Sequence, residues 1–152
     1  MRVYLSMHIT LREAVLDDAE IMHCWRNDDR VRKQSFNQEK IPYQHHQRWL
    51  ENALGDLNKM ILIILYDGKP AGSVRYELES PNATVSVQVA PDFHGRGIGS
   101  EALKRATEIL KNKHPGIQKI IANIKLGNTA SEKAFSKAGF QLSHSVYEYS
   151  LR

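Results

Sequence analysis

The sequence predicts one α/β domain over residues 1–152, with a mixed, mostly antiparallel sheet and about four helices. Three observations support this fold class. The length of 152 residues suits a single domain with a sizeable core. Three β-prone runs separated by short turns occur between residues 60 and 89. A glycine-rich turn then joins the last of these runs to a long amphipathic helical pattern.

The first third of the chain predicts a strand followed by a helix. Residues 1–7 are expected to form a lead-in or an extra edge strand, and Ile9–Ala14 alternates enough to predict a strand. Asp17–Glu20 resembles a capping box with Asp as the cap, so a helix should start there and end near residues 27–29. Three residues of this helix should face the core: Ala19, Met22 and Trp25.

Two further helical segments are expected before the meander of strands. Val31–Phe36 predicts a short turn of helix. Pro42 precedes a second helix over Tyr43–Leu54, and Gly55 is the expected stop. The apolar residues of this helix are Trp49, Leu50 and Leu54.

Residues 60–89 predict an antiparallel meander. Met60–Tyr66 is the longest apolar run and predicts a buried strand. Asp67-Gly68 is a strong hairpin signal, and Pro70–Glu79 is the return strand. Residues 80–82 turn again into a third strand, Thr84–Val89.

The last third predicts two helices and further strands. A helix over 97–113 leads to a strand, Ile117–Lys125, which should run parallel to the third meander strand because a helix connects them. Thr129–Glu132 resembles a capping box, with Asn128 as the alternative cap, and Gly139 is the expected end of that helix. Two closing strands are expected, Phe140–Ser143 and Val146–Leu151.

The glycine-rich turn lies between a strand and a helix N-terminus. The β-prone run Val85–Val89 stops at Pro91, and the turn occupies Gly95–Gly99. One face of the following helix is apolar, formed by Ile98, Ala102, Ala106, Ile109 and Leu110. A helix N-terminus offers unpaired N–H groups and a partial positive charge, and glycines let the backbone approach a bulky anion. The turn therefore predicts a phosphate site.

Four interpretations of this segment are possible: three kinds of phosphate site and a turn without a ligand. A P-loop needs a lysine after the glycines, which the turn lacks. A dinucleotide fingerprint needs an acidic residue after the next strand, where Lys125 stands. The third kind rests on a resemblance: His94–Gly99, after Val89-Ala90-Pro91, is similar to the pyrophosphate loop of the GNAT N-acetyltransferases. His94 replaces their usual Gln or Arg, and a strand–helix turn without a ligand is the alternative.

A second segment, Asn128–Phe140, resembles the other signature of that family. The resemblance covers the whole chain and implies acetyl-CoA as cosubstrate, a sheet split between the fourth and fifth strands, and no metal. It implies that Asn128 contacts the pantetheine arm or braces the cleft, although the residue could serve only as a helix cap. The cofactor-binding residues that the resemblance implies are Gln88, Val89, His94, Gly95, Arg96, Gly97, Ile98, Gly99, Ser100, Asn128, Ser131 and Phe135.

The N-terminal half carries a further set of segments, Trp25–Arg32, Ser35–Asn37, Ile41 and His46–Leu50. These segments are similar to the PseH-like N-acetyltransferases of pseudaminic acid biosynthesis, which acetylate the 4-amine of a UDP-linked aminosugar. More loosely, these segments resemble RimJ/RimL-like protein N-terminal acetyltransferases. The expected acceptor-binding residues are Trp25, Arg26, Asn27, Arg30, Phe36 and Trp49. Arginines and aromatic rings suit a diphosphate-linked sugar. Core packing of the tryptophans and a solvated arginine face are the alternatives.

Two positions depart from the family. Many relatives have a glutamate base where this chain has Thr84, and a tyrosine acid where it has Phe135. Candidate substitutes are Glu77, Ser86, Tyr76 or an ordered water. The expected reaction is direct attack of a primary amine on acetyl-CoA in a ternary complex, with the Val89 N–H polarising the thioester carbonyl. The missing groups also allow a CoA-binding sensor without catalysis.

Composition limits the partners. The net charge is +4, and the pI of 9.2 fits a protein that handles polyphosphorylated small molecules. The chain has no lysine/arginine block, no apolar run near 18 residues and no metal-ligand spacing, so we expect no nucleic acid, membrane or metal partner. A single cysteine, Cys24, suits a reducing compartment, so the cytoplasm is predicted. The oligomeric state stays open, with a homodimer as one option.

Overall fold

We describe the fold from a computed structural model, in which residues 8–151 are described. The lead-in or edge strand predicted for residues 1–7 lies outside these residues. The strands are β1 (Ile9–Glu13), β2 (Lys59–Tyr66), β3 (Lys69–Glu79), β4 (Asn82–Val89) and β5 (Lys119–Ala122). The helices are α1 (Ala19–Asn27), α2 (Asp29–Arg32), α3 (Tyr43–Leu54), α4 (Ile98–Lys113) and α5 (Thr129–Lys137), with short 3₁₀ turns at Leu16–Asp18 and Pro91–Phe93.

The five strands form one sheet in chain order, antiparallel except for the parallel pair β4–β5. The predicted meander is confirmed. Its hairpin carries positive φ angles of 49° at Asp67 and 78° at Gly68. These angles are those of the tight two-residue turn whose twist matches that of the strands.

Helices cover both faces of the sheet. Successive side chains of a strand point to opposite faces, so Leu62 and Ile64 join the core under α4 and α5. Ile61 and Ile63 join a second core under α1 and α3. The three α1 residues expected to face the core, Ala19, Met22 and Trp25, are buried there. This double coverage explains why β2 is almost continuously apolar.

β4 and β5 separate part-way along their length. Their pairing ends at Val85 opposite Ala122, whereas β4 continues to Val89. β5 is shorter than the predicted Ile117–Lys125, because its pairing with β4 is confined to four residues. The split expected between the fourth and fifth strands is therefore present.

The capping box predicted at Asp17–Glu20 is wrong. Asp18 has helical dihedrals (φ −77°, ψ −7°) and makes no side-chain cap bond. Its buried carboxylate instead accepts two 2.8 Å hydrogen bonds from Arg12 of β1 and one from the Val15 N–H. Asp18 therefore binds Arg12 of β1, whereas the local pattern predicted that it caps α1.

The short helix α2 begins two residues earlier than predicted, and α5 takes the alternative cap, Asn128. Asp28 accepts the Arg30 N–H at 2.9 Å, so α2 covers Asp29–Arg32 and not Val31–Phe36. For α5, Asn128 is the cap, with its Oδ1 accepting the Ser131 N–H at 3.2 Å.

The two closing strands predicted over Phe140–Ser143 and Val146–Leu151 are wrong. Residues 140–151 contain no strand. Leu142, Tyr147 and Tyr149 are each about nine-tenths exposed, at 92%, 96% and 89%. An alternating pattern makes a strand only where an edge pairs with it and a core receives its apolar face. In the structure residues 140–151 pair with no strand, and Phe140 packs against the core while the later apolar side chains stay exposed.

Candidate active site

A cavity of about 1670 Å³ opens at the split between β4 and β5. One end is formed by the glycine-rich turn and the start of α4. The walls are the ends of β3 and β4, the loop after β5, and α5. The other end is closed by α1, α2 and α3. The cavity thus joins the expected phosphate site to the expected acceptor residues.

The glycine-rich turn delivers a helix N-terminus to the cavity. Gly97 caps α4 with φ 73°, a left-handed conformation that favours glycine. The first N–H groups of the helix, those of Ile98, Gly99 and Ser100, have no acceptor within the helix. Their partial positive charge faces the cavity and suits a pyrophosphate.

Side chains hold the turn in shape without a ligand. His94 Nε2 donates to the Val89 carbonyl at 2.8 Å, and Ser100 Oγ donates to the Gly97 carbonyl at 3.1 Å. The Arg96 guanidinium lies over the Phe93 ring at 5.3 Å and the Tyr66 ring at 5.9 Å. The turn is therefore preorganised for an anion.

The end of β4 presents a backbone donor to the split. The Ala90 N–H donates to the Ala71 carbonyl of β3 at 2.7 Å. Because successive N–H groups of a strand point to opposite edges, the Val89 N–H points away from β3 and into the split. Beside it, Gln88 Nε2 is buried without a hydrogen-bond partner. Both groups could hold the pantetheine arm or the thioester.

The opposite wall is α5 and the loop before it. Asn128 and Ser131 line the cavity, and Asn128 also caps the helix. Phe135 is 5% exposed and packs edge-to-face on Phe140 at 5.0 Å. A Cβ on Gly99 would lie 3.5 Å from Ala134 and 3.6 Å from Val89, so α4, α5 and β4 are in close contact here.

The acceptor end of the cavity is cationic. Arg26 donates through Nη2 to the Asn37 carbonyl at 2.6 Å, but its buried Nη1 has no partner. Burial, Arg32 and Arg75 lower the pKa of Arg26. Arg75 lies 5.3 Å over the half-buried ring of Trp49. A buried N–H group of a cation is costly when it has no hydrogen-bond partner, so this end favours an anionic ligand.

His46 also lines this end. Its side chain is 6% exposed and Nδ1 has no hydrogen-bond partner. The ring lies 5.7 Å from that of His23 and 5.4 Å from that of Trp49. Burial, His23 and Arg26 lower the pKa of His46 to about 4. It is therefore neutral at physiological pH and can accept a hydrogen bond.

Not all of the expected acceptor residues reach the cavity. The Asn27 side chain donates to the Ile41 carbonyl and accepts from the Ile41 N–H. It therefore positions a loop that lines the cavity. Trp25 is a core residue. Arg30 lines the mouth, but its guanidinium makes two hydrogen bonds to Asp28. Phe36 stands at the mouth, 73% exposed.

Of the candidate proton-transfer side chains, only Ser86 lines the cavity. Tyr76 is fully buried in the core under α4, and burial raises its pKa to about 12. Glu77 pairs in register with Thr84 at the far end of the strands, outside the cavity lining. The structure therefore does not bring Tyr76 and Glu77 to the site.

The cavity residues that the sequence prediction missed include three polar ones from the strands and α3: Ser73, Arg75 and His46. A signal existed for His46, because positions 46, 50 and 53 form the buried stripe of α3. A polar residue in such a stripe is informative. Arg75 carried no comparable signal, since arginine on a strand is ordinary on a solvated face.

A family model described as an acetyltransferase (GNAT) domain matches residues 8–141. The chain belongs to this family. It is therefore an acetyl-CoA-dependent N-acetyltransferase, and acetyl-CoA is its cosubstrate. No protein with a curated function matches the chain in sequence.

Solved structures support the GNAT fold. Aminoglycoside acetyltransferase AAC(6')-Ib with paromomycin and acetyl-CoA is 20% identical at a TM-score of 0.81, over 91% of this chain and 85% of its own. A domain from Methanocaldococcus jannaschii is 24% identical, with a TM-score of 0.81 and 94% of each chain covered. Vibrio cholerae spermidine N-acetyltransferase with CoA and spermine is 16% identical, with a TM-score of 0.81 over 95% and 88%. At these identities the likeness establishes the fold and not the acceptor.

The described residues contain neither a metal-ligand cluster nor a membrane-spanning helix. Residues 8–151 contain no group of three or more His, Cys, Asp or Glu side chains that could hold a metal ion. Within the same range, no helix is both long and apolar enough to cross a membrane.

Proposed function

We propose that this GNAT enzyme acetylates the primary amine of a small acceptor that also carries an acidic group. A nucleotide-linked aminosugar, such as a UDP-4-amino sugar, is the favoured acceptor, and catalysis is direct attack in a ternary complex. The observation that carries this proposal is Arg26. It is a part-buried arginine at the acceptor end of the cavity, whose buried Nη1 has no hydrogen-bond partner and which makes no ion pair among the described residues.

Residues of the split would bind acetyl-CoA. The amides of residues 94–99, with Ser100, would hold the pyrophosphate, because the α4 N-terminus faces the cavity there. The Gln88 side chain and the Asn128 amide nitrogen would contact the pantetheine. The Val89 N–H would donate to the thioester carbonyl as negative charge develops on its oxygen.

Arg26 and Arg75 would bind the acidic group of the acceptor. Guanidinium groups match phosphate and carboxylate geometry, and they bind most strongly where water is excluded. The half-buried Trp49 would supply an apolar surface for the sugar or base. The cytoplasm is the compartment we propose, since the unpaired Cys24 suits reducing conditions.

The test is an acceptor panel with acetyl-CoA, in which products are read by mass spectrometry. The panel contains a UDP-4-amino sugar, glucosamine 6-phosphate, a peptide with a free N-terminus, and spermidine. We expect transfer to the acidic aminosugars. Preference for the peptide would support a RimJ/RimL-like activity instead, and CoA binding without any transfer would support the sensor alternative.

A further inference from the structure

His46 combines three properties that a structural histidine rarely has together. It lies on the buried stripe of α3 with Leu50 and Ala53, yet it also lines the cavity. Its Nδ1 is buried without a partner. In native proteins nearly all buried polar atoms are hydrogen-bonded, so an orphaned polar atom on a residue that lines a cavity points to a ligand group as its partner.

The groups around His46 are cationic or neutral. From α1 it faces His23 and Arg26, both of which disfavour its protonation. On its own helix Trp49 lies against it, and Arg75 of β3 lies over that ring. No carboxylate is among the groups that shift its pKa. A neutral His46 has a lone pair to offer at the acceptor end, where the charged neighbours Arg26 and Arg75 only donate hydrogen bonds, and Glu132 on α5 is the carboxylate of the cavity lining.

We propose that the His46 imidazole takes up the proton lost by the acceptor amine, and that the acceptor's own acidic group, bound at Arg26, makes this imidazole a stronger base. The proposal rests on the proposed function, and it fills the base role left open at Thr84. It assigns a catalytic role to a residue outside the two family signatures.

The step balances as follows. The neutral amine attacks the thioester carbon, so the N–C bond forms and the nitrogen becomes positively charged. The nitrogen then loses one proton to the imidazole lone pair as the C–S bond breaks, which yields the amide and the CoA thiolate. The imidazolium passes the proton to water through the open cavity, and His46 returns to its neutral form.

The coupling between the acidic group on Arg26 and the basicity of His46 is electrostatic. Arg26 lowers the basicity of His46 while it is unpaired. A phosphate or carboxylate on Arg26 cancels part of that charge and favours the protonated imidazole. An acidic group distant from the reacting amine should therefore raise kcat as well as affinity. Simple anchoring would change affinity alone.

The first test is a pH titration of the histidine ring signals by NMR, with UDP as the anionic probe. The His46 signal is assigned by its loss in His46→Gln. We expect UDP to raise the titration midpoint of His46 by about one pH unit or more. Arg26→Gln should raise the midpoint without UDP and abolish the UDP effect. A midpoint that UDP does not move would overturn the coupling.

The second test compares matched acceptors in kinetics at pH 7.5: glucosamine 6-phosphate with glucosamine, and the UDP-linked aminosugar with the free aminosugar. In the wild type the acidic member should show the higher kcat. His46→Gln should lower kcat for the acidic member by about 10²-fold and remove its advantage. His46→Asn keeps a polar atom near the position of Nδ1 but cannot take the proton. It should lower kcat for the acidic member as His46→Gln does.

Controls separate catalysis from folding. His114→Gln makes the same substitution at the far end of α4, outside the cavity, and should keep wild-type rates. Calorimetry with CoA should give the same affinity for the wild type and both His46 variants. Equal loss of kcat for both members of an acceptor pair would overturn the proposal and leave His46 a structural residue. Absence of transfer to every acidic acceptor would reject the proposed function instead, while the NMR titration still decides the coupling.

Discussion

The guanidinium carbon of Arg75 lies 5.3 Å from the centroid of the Trp49 ring, so a strand residue and a helix residue meet across the acceptor end of the cavity. The ring face attracts the cation and fixes its direction, a contact worth about 0.5–2 kcal/mol. Trp49→Leu should therefore raise the KM of an acidic acceptor about 3- to 30-fold, because Arg75 becomes mobile. Steady-state kinetics would show this with little change in the KM of acetyl-CoA.

The matched control for this prediction is Arg105→Gln. Arg105 pairs with Glu101 on the outer face of α4 and lies outside the cavity lining. It should leave both KM values unchanged. If Trp49→Leu raised the two KM values equally, the contact would serve general packing and not acceptor binding.

Arg26 and Arg30 should differ strongly in their effect on acceptor binding. The buried Arg26 Nη1 is unpartnered, whereas the exposed Arg30 is held by Asp28. A hydrogen bond to a charged group contributes about 1.5–3 kcal/mol, so Arg26→Gln should raise the acceptor KM by about 10- to 150-fold. Arg30→Gln should have a much smaller effect. The two KM ratios measured side by side check this ordering.

Arg26→Gln should also leave the unfolding temperature unchanged or higher. Its pKa is lowered by burial and by two neighbouring arginines, so removing the charge relieves repulsion in the free enzyme. Thermal unfolding of the ligand-free protein measures this. A large loss of stability would mean that Arg26 is a structural residue whose partner lies elsewhere.

The different environments of Arg26 and Arg30 could not be predicted from the sequence. Arg26 and Arg30 have the same residue type and lie four positions apart, so the local pattern treats them alike. They differ because Asp28 binds the Arg30 guanidinium, whereas Arg26 is part-buried with an unpartnered Nη1. The burial of Arg26 depends on how α1 packs on α3 and β3, which a local pattern does not contain.

Features encoded by neighbouring residues were predicted well. The meander, its Asp67-Gly68 turn and α3 follow from the local alternation, the turn residues and the helical period, and the structure confirms them. Features that depend on distant partners were not predicted. Asp18 binds Arg12 of β1 instead of capping α1, and residues 140–151 find no strand edge in the structure.

Gly97 should be essential for CoA binding. Its φ of 73° lies in the left-handed region, where any side chain costs free energy of about 1–2 kcal/mol. Gly97→Val should thus displace the turn and the first N–H groups of α4, and lower CoA affinity at least tenfold. Gly68→Ala is the matched control, because Gly68 has a similar φ of 78° in a hairpin away from the cavity. Calorimetry with CoA should show a loss for Gly97→Val and none for Gly68→Ala.

Phe135 should contribute mainly to stability. It is 5% exposed and packs on Phe140, so Phe135→Ala should lower the free energy of unfolding by about 3–5 kcal/mol. Phe135→Tyr should keep activity, since it restores the hydroxyl that relatives place near the thiolate. Denaturant unfolding and turnover measured on both variants test the two roles. A fully stable Phe135→Ala protein would contradict the packing.

The last prediction concerns the acceptor amine. An amine must be neutral to attack a thioester, and His46, with a pKa of about 4, is too weak a base to take a proton from a free ammonium ion. A lysine side chain has a pKa of about 10.4, so at pH 7 only on the order of one in a thousand is neutral. An α-amine, with a pKa near 8, is roughly one-tenth neutral. An amine on a sugar ring, next to electron-withdrawing oxygens, should be similar or lower.

We therefore expect poor activity on lysine side chains and polyamines, and Arg26 and Arg75 at the acceptor end should disfavour a polycation further. The rate should rise with pH and level off near the pKa of the acceptor amine. Two acceptors of different pKa should therefore give pH–rate profiles with different midpoints. Profiles of kcat/KM for an aminosugar and for spermidine, measured between pH 6 and 10, test this. Efficient acetylation of spermidine at pH 7, or one common midpoint for both acceptors, would mean that a protein group removes the ammonium proton before attack.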